Sequence, residues 1–162
     1  MTPAELEAVS GLSDDQFAAL TAYGEARNQP VVGIIGVLMV QSNRVQLAKQ
    51  RSDVARLWGS TWSAICTAPE QFSCWNDNDP NRPELMTLAG LMRRKMAIIG
   101  NPVFDVCQFL ATQAVAGILR DVTGGATHYY APAIVSAPAW SSAPAVRTTV
   151  IAGHAFYKNV RV

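Results

Sequence analysis

The chain has 162 residues, of which 49% are hydrophobic and only 15% are charged, and its formal net charge is +1. This length suits one ordinary domain, and the apolar share is large enough for a core without disulfide bonds. The same balance excludes an intrinsically disordered chain, which would be poor in apolar residues and rich in charge. Nucleic acid is not expected as a partner, because that binding depends on clustered Lys and Arg.

Helical patterns dominate the first three quarters of the chain. Ser13 and Gln16 form a capping box before a helix that runs to about Arg27. The next helix, at about 31–50, is apolar on all sides in its first three turns, which indicates burial. Its apolar run is shorter than the roughly 20 residues that cross a bilayer, so no membrane insertion is expected. Further helices are predicted at about 61–67, 83–99 and 103–119, the last with an apolar stripe that reaches Ile118.

The C-terminal part of the chain changes character. A strand is predicted near Thr127, and the segment from Thr148 to Tyr157 alternates weakly and is expected to pair with it. Between them, residues 131–145 contain three Ala-Pro-Ala triplets around Trp140, which exclude a regular helix or central strand. We expect an ordered loop that packs over the substrate groove through Trp140. The predicted fold class is mainly α (α+β), one domain with a small β element near the C-terminus.

The cysteines and the N-terminus bear on location and cofactors. Cys66, Cys74 and Cys107 are an odd number without the CxxC spacing of a zinc site, and we expect buried thiols. A bond between Cys66 and Cys74 stays an alternative for a protein that works outside the cell. No metal or other cofactor is expected. The first residues lack the basic region of a secretory signal, so the protein stays in the cytoplasm or leaves by an unmarked route.

Glu25 is the first candidate for chemistry. It lies at the end of the Ser13 helix, just before the most apolar helix of the chain. A carboxyl group against apolar walls keeps its proton toward neutral pH, as a general acid must. The alternatives are a solvated carboxylate at a helix end, or one that is paired with Arg27.

A polar and aromatic loop from Pro69 to Asp79 is the second candidate. It combines amide, hydroxyl and indole groups, and sugars bind to aromatic faces and neutral polar groups. Equally, Phe72 and Trp75 could fill the core while the polar residues cap turns. On the first interpretation the sugar-binding residues are Gln71, Phe72, Ser73 and Asn76.

The third candidate lies near the C-terminus, where Thr127, His128 and Tyr129 precede His154. Two histidines and one glutamate would be enough for a three-ligand zinc site. The short spacing of such sites, HExxH for example, is absent, and histidines bonded to the backbone are commoner. A phosphate-binding glycine loop and a GxSxG nucleophile elbow are also absent from the sequence.

Taken together, these segments resemble the SleB-type cell wall hydrolases. The family's first motifs are close to (Y/A)-x-E-A-R-x-(E/Q)-P and N-R-V. The agreement spans about residues 17–157, and the chain departs at Gln29, where family members commonly carry glutamate, and in its Ala-Pro-Ala loop. The matching segments, in the family's order, are Tyr23-Gly24-Glu25-Ala26-Arg27, Ser42-Asn43-Arg44-Val45, Gln71-Phe72-Ser73, Gly125-Ala126-Thr127-His128-Tyr129-Tyr130, Trp140 and Gly153-His154-Ala155-Phe156-Tyr157.

The resemblance implies a lysozyme-like fold, with residues 1–162 as a single catalytic domain that cleaves peptidoglycan between N-acetylmuramic acid and N-acetylglucosamine. The family's catalytic glutamate falls on Glu25. The residues expected to hold the glycan are Gln71, Phe72, Ser73, Asn76, Thr127, His128 and Tyr129. A chain without export signal or binding domain looks more like a phage lysin, a monomer that is made in the host cytoplasm and reaches the wall through a membrane lesion or inside a virion.

The number of available carboxylates separates the possible reactions. A glycoside hydrolase needs two carboxylates about 5 to 9.5 Å apart, whereas a lytic transglycosylase needs one. We therefore expect lytic transglycosylation with Glu25 as acid and base. The alternative is a hydrolytic muramidase that uses Glu25 with Asp77 or Asp79. Two rival classes are a zinc amidase that uses His128 and His154, and a wall-binding structural module of a virion without enzymatic activity.

Overall fold

The computed structural model describes residues 1–161. Within that range the chain forms seven α-helices, a three-stranded antiparallel sheet, and 3-10 turns at Ser73–Trp75 and Ala139–Ser141. The expected fold class is confirmed. The helices are α1 Pro3–Val9, α2 Asp14–Ala26, α3 Val31–Gln50, α4 Ser52–Trp58, α5 Trp62–Thr67, α6 Arg82–Arg93 and α7 Pro102–Val115, and the strands are β1 His128–Tyr130, β2 Val146–Ile151 and β3 His154–Lys158.

The long helix α3 occupies the centre of the molecule. It packs against α2, α4, α5, α7 and β2. It is the one helix in the described part of the chain with the length and composition to cross a membrane, but 61% of that apolar window is buried inside the protein. A Cβ atom on Gly36 would lie 2.8 Å from the Phe156 ring, so the missing side chain lets β3 pack onto this helix. We therefore interpret α3 as the core helix that supports the sheet.

The sheet has the strand order β1-β3-β2, and Tyr129 is the partner of Phe156 across β1 and β3. The expected pairing between the Thr127 segment and the tail is confirmed. Successive side chains of a strand point to opposite faces. One face carries the rings of Tyr129, Phe156 and His154, which contact one another, and the other carries those of His128 and Tyr130.

Two predicted helix ends are wrong, and positive φ angles explain both. α6 ends at Arg93 and not near Ile99, because Lys95 adopts φ 55° in the left-handed region. α7 also ends early, because Gly117 adopts φ 72°, and Ile118 is consequently 69% exposed. α1 and α4 are not predicted from the sequence, because each has seven residues and two turns show too little periodicity.

The proline-rich segment 131–145 packs on the outer face of the sheet. The ring of Trp140 lies 5.0 Å from that of His128, 5.8 Å from that of Tyr130 and 5.6 Å from that of Tyr157. The segment contains one 3-10 turn and no α-helix or strand, as the prolines predict. Packing through Trp140 is confirmed, and its position over a substrate groove stays a prediction.

The three cysteines are buried and are not joined by disulfide bonds. The thiol of Cys66 donates to Gln41 Oε1 at 3.3 Å, and that of Cys74 donates to the carbonyl of Thr21 at 3.9 Å. Burial raises the pKa of Cys66 and of Cys107 to about 12 and holds the pKa of Cys74 well above its ordinary value. The thiols therefore stay protonated and act as small core groups.

Candidate active site

Glu25 lies in the last turn of α2, and its carboxylate accepts three hydrogen bonds. The Ser73 hydroxyl and the Cys74 backbone N–H donate to Oε1 at 3.0 and 2.8 Å, and the Tyr129 hydroxyl donates to Oε2 at 2.7 Å. These donors lie 48, 49 and 104 positions further along the chain. Both carboxylate oxygens are thus fixed, while the residue remains only partly buried and open to a substrate.

The close environment of Glu25 differs from what the sequence predicts. Arg27 does not pair with it, because its Nη2 donates to Asn81 Oδ1 at 2.6 Å and lies 3.5 Å from Glu84 Oε2. The groups that touch the carboxylate are polar donors and not the apolar walls expected. Polar donors of this kind hold a carboxylate in one orientation, which a catalytic acid requires.

The approach of the Ser73–Trp75 turn to α2 depends on a missing side chain. A Cβ atom on Gly24 would lie 2.5 Å from Cys74 Cβ and 2.9 Å from its Sγ. Trp75 anchors the turn from the inside, since its Nε1–H donates to Thr21 Oγ1 at 2.9 Å. This contact brings the Cys74 N–H within reach of Glu25.

Tyr129 reaches Glu25 from the inner face of β1. Burial raises the pKa of Tyr129 well above its ordinary value, and the nearby charge of Glu25 adds to the effect, so the hydroxyl keeps its proton. The Tyr129 ring lies 5.6 Å from the Phe156 ring and 5.2 Å from the His154 ring. Burial also lowers the pKa of His154, against the attraction of Glu25. A neutral imidazole therefore packs against the phenol that holds the candidate acid.

Two neighbouring polar residues of α3 bind the backbone of segments that lead into the site. Arg44 Nε donates to the Thr127 carbonyl at 2.6 Å, and Asn43 Nδ2 donates to the Ala126 carbonyl at 2.9 Å. Burial lowers the pKa of Arg44 to about 10, which still leaves a cation at neutral pH. Both residues belong to the Ser42-Asn43-Arg44-Val45 motif, but the sequence alone indicates no role for either. Arg44 follows Val37 and Val40 on the buried side of α3, and a charged residue at that position was the available signal.

The structure separates the residues predicted to bind sugar. Ser73 and Tyr129 contact Glu25 directly. Phe72 is 1% exposed, so its ring faces the core and the predicted sugar contact is wrong. Trp75, at 5% exposure, also belongs to the core, as the alternative interpretation of this loop expected. Thr127 is 7% exposed, so it contributes its backbone rather than a free side chain.

Gln71 and Asn76 are partly exposed on the same loop as Ser73, but neither is bonded to Glu25. The Gln71 side chain donates to the Pro69 carbonyl at 3.4 Å. Asn76 lines a polar surface cavity of about 500 Å³ with the neighbouring Glu70. Both residues are therefore free to meet a ligand from the solvent side.

The two candidate second carboxylates are engaged elsewhere. Asp77 lies 2.9 Å from Nη1 of the buried Arg82. Asp79 Oδ1 accepts the backbone N–H of Asn81 at 2.8 Å and so caps a turn. Within residues 1–161, neither acid shares a hydrogen-bond donor with Glu25.

The two histidines lie on opposite faces of the sheet. The His128 ring is 5.6 Å from that of Trp58 and 5.0 Å from that of Trp140, whereas His154 packs on the Tyr129 side. Burial lowers the pKa of His128 to about 3. Opposite faces exclude a zinc ion shared by the two histidines, and His128 is not brought to Glu25. In the described part of the chain, no three His, Cys, Asp or Glu side chains cluster as metal ligands would.

Comparisons with known structures identify the fold. The catalytic domain of the germination-specific lytic transglycosylase SleB from Bacillus anthracis is 23% identical, with a TM-score of 0.59, over 92% of this chain and 98% of that domain. The catalytic domain of the Bacillus cereus SleB protein is also 23% identical, with a TM-score of 0.60, over 92% of this chain and 94% of that domain. At this identity the likeness shows a shared fold. A search of curated proteins found no match.

A comparison with protein-family models identifies the family. The model described as Cell Wall Hydrolase matches residues 28–157, about four fifths of the chain. The match begins just after Glu25, so the role of that residue rests on the geometry of the site. Because the family model covers most of the sequence, the chain is an enzyme that belongs to the cell wall hydrolase family.

Proposed function

We propose that this enzyme cleaves the glycan strand of peptidoglycan between N-acetylmuramic acid and N-acetylglucosamine by lytic transglycosylation, with Glu25 as acid and base. The observation that carries the proposal is a partly accessible carboxylate whose two oxygens are fixed by three donors. In residues 1–161 no second carboxylate shares those donors. Membership of the cell wall hydrolase family supports the wall as target, and one protein of the same fold is named a lytic transglycosylase.

One carboxyl group is enough for both halves of the reaction. Glu25 gives its proton to the glycosidic oxygen as the bond from that oxygen to C1 of muramic acid breaks. The 2-acetamido carbonyl of the sugar stabilises the positive charge that develops at C1. The Glu25 carboxylate then takes the proton of the C6 hydroxyl as the C6 oxygen bonds to C1. The product is a 1,6-anhydro sugar, no water is consumed, and Glu25 regains its proton.

The donors around Glu25 serve the intermediate stage of this reaction. Once Glu25 has given up its proton, the hydroxyls of Ser73 and Tyr129 and the N–H of Cys74 stabilise the carboxylate. They also aim it at the atoms that react. In this proposal the glycan contacts come from Ser73, Gln71 and Asn76, whose side chains are not buried.

The reaction is tested by mass spectrometry of digested peptidoglycan. Anhydro-muropeptides support transglycosylation. Reducing-end sugars would instead support the muramidase, freed stem peptides would support an amidase, and binding without fragments would support a structural module. Any of these three outcomes overturns the proposal.

The role of Glu25 is tested by Glu25→Gln, which keeps the size of the side chain and removes the transferable proton. Turbidity clearance of permeabilised Gram-negative cells should fall by roughly 10²–10⁴-fold or more, since one group serves both steps. The matched controls Asp77→Asn and Asp79→Asn should keep most of the activity. Lysis by Glu25→Gln at the native rate would overturn the assignment of the acid, and loss of lysis in a folded Asp77 or Asp79 variant would support a two-carboxylate hydrolase.

We also propose a delivery route, that of a monomeric phage lysin which meets the wall after a membrane lesion or from a virion. Its test is expression in the cytoplasm of a Gram-negative host. Growth should continue until a pore-forming agent opens the inner membrane, and lysis should then follow at once. Lysis without a pore would contradict this route without affecting the proposed reaction.

A further inference from the structure

Arg44 of α3 is a buried cation without an acidic partner. It is 3% exposed, and its Cζ lies 4.8 Å from the ring centres of both Trp58 and Phe72. Within residues 1–161 no carboxylate lies at ion-pair distance from the guanidinium. Burying a charge in this way is unfavourable unless other contacts offset the loss of hydration. Such a residue is tolerated where its contacts are needed.

The hydrogen bonds of Arg44 go to the two segments that supply the donors of Glu25. Nε donates to the Thr127 carbonyl at 2.6 Å, and Nη1 donates to the Gln71 carbonyl at 3.5 Å. Thr127 stands two residues before Tyr129, and Gln71 stands two residues before Ser73. One side chain therefore binds the backbone directly upstream of both donor segments.

The planar shape of the guanidinium matters for this contact. It packs between two aromatic rings and presents N–H groups from one rigid plane to two carbonyls. A lysine ammonium keeps the charge but is a flexible point donor, without a flat surface for the rings. Replacement by lysine therefore separates the effect of charge from the effect of geometry.

We infer that Arg44 is a positioning residue of the active site, which holds the Thr127 and Gln71 carbonyls so that Tyr129 and the Ser73–Cys74 pair reach Glu25 together. The inference rests on the proposed function, in which Glu25 is the acid. Arg44 is too deeply buried to meet the glycan itself, so its removal acts through the donors of Glu25 and lowers kcat more than it raises KM.

The test compares Arg44→Lys with Val40→Ala. Val40 is 0% exposed one turn earlier in α3, and its side chain has no hydrogen-bonding group. Its truncation therefore lowers stability but leaves the hydrogen bonds of Arg44 to both donor segments in place. For Arg44→Lys we expect kcat per folded molecule to fall about 10- to 100-fold while KM changes less than about threefold. Val40→Ala should lower Tm and leave kcat unchanged. An Arg44→Lys enzyme that loses Tm but keeps its kcat, as Val40→Ala does, would overturn the inference.

A second readout does not depend on activity. The ¹³Cζ NMR signal of Tyr129 reports its hydrogen bond to Glu25, and it should shift toward that of free tyrosine in Arg44→Lys but not in Val40→Ala. An unshifted signal in Arg44→Lys counts against the inference.

A further variant serves if the Arg44 variants do not fold. Phe72→Leu removes one of the two rings that pack against the guanidinium, and it should lower kcat about three- to tenfold. An unchanged kcat in Phe72→Leu would again contradict the inference.

The outcomes also separate this inference from the proposed function. If native enzyme releases no anhydro-muropeptides, or if Glu25→Gln is fully active, the proposed function fails whatever the Arg44 variants do. If native enzyme and Glu25→Gln behave as proposed and Arg44→Lys keeps full kcat and an unshifted Tyr129 signal, only the role of Arg44 is overturned.

Discussion

At the scale of single residues, the three donors to Glu25 are not equivalent. Oε1 has two donors, Ser73 and Cys74, whereas Oε2 has Tyr129 alone. A hydrogen bond to a charged group is worth about 1.5–3 kcal/mol. Tyr129→Phe should therefore lower kcat on purified peptidoglycan by about 10- to 100-fold, whereas Ser73→Ala should cost less than about fivefold. Equal losses in the two variants would show that the Cys74 N–H does not hold Oε1.

The pH dependence of stability provides a second test. Because burial lowers the pKa of His128 from 6.5 to about 3, the unfolded chain takes up a proton there before the folded chain does. The contribution of His128 is intact above pH 6.5 and is lost as the pH falls from about 6.5 toward 3, by up to about 1.4 kcal/mol per pH unit. His128→Phe keeps a ring between Trp58 and Trp140 and should flatten this slope in denaturant titrations between pH 6.5 and 5.

The range from pH 6.5 to 5 lies above the range in which Glu5 contributes to the slope. Arg82 lowers the pKa of Glu5 from 4.5 to about 2, so the stability contributed by Glu5 is lost only below pH 4.5. Burial lowers the pKa of His154 as well, so this residue contributes to the slope in the same direction. His154→Phe is therefore the variant with which the slope of His128→Phe is compared. A slope that persists in full in His128→Phe would mean that His128 is protonated in the folded enzyme.

The sequence indicates Glu25, Ser73 and Tyr129 as candidates, but it does not indicate how they contact one another. Ser73 and Tyr129 were predicted to touch sugar, whereas both hydrogen-bond the candidate acid. The hydrogen bond from Tyr129 to Glu25 joins residues 104 positions apart, and no local sequence pattern encodes it. The Cys74 contact is made by a backbone N–H, which every residue except proline offers, so residue type could not reveal it.

At the scale of elements, the close approach of the Ser73–Trp75 turn to α2 can be tested through Gly24. Gly24→Ala places a Cβ atom 2.5 Å from Cys74 Cβ, and the turn must move away. We expect a loss of about 1–3 kcal/mol in the free energy of unfolding, with kcat about tenfold lower.

Gly90→Ala in α6 is the control for Gly24→Ala. The nearest atom to its new Cβ would be Arg94 Nη1 at 3.4 Å, the end of a flexible side chain. Loss of glycine from a helix interior should then raise stability by about 0.5–1 kcal/mol and leave activity unchanged. Urea denaturation measures the stability of each variant, and dye release from labelled walls measures its activity. A Gly24→Ala enzyme that matches Gly90→Ala would show that the turn is not held by this contact.

The elements that were predicted well are those with local signals at both ends. α2 starts after its capping box and α3 runs from Val31 to Gln50 as predicted, because caps, proline and periodicity act within a few residues. The left-handed conformation of Lys95 has no such signal, so the end of α6 could not be predicted.

At the scale of the whole molecule, the buried thiols report on global unfolding. Burial raises the pKa of Cys66 and Cys107 to about 12 and that of Cys74 well above its usual value, so native enzyme at pH 8 carries almost no thiolate. A chromogenic disulfide reagent should label none of them in native enzyme and all three in denaturant. Fast labelling of one thiol under native conditions would reveal local opening around that cysteine.

The strand order also sets when the site is completed during synthesis. Tyr129 sits on β1, which in the sheet of residues 128–158 is paired with β3 alone, and β3 is the last strand to be translated. Chains emerge from the ribosome N-terminus first. The candidate acid at position 25 therefore leaves the ribosome long before the strand that anchors its phenolic partner. A nascent chain that ends before β3 therefore lacks the strand that anchors Tyr129, and the proposed site is complete only once residue 158 has been made.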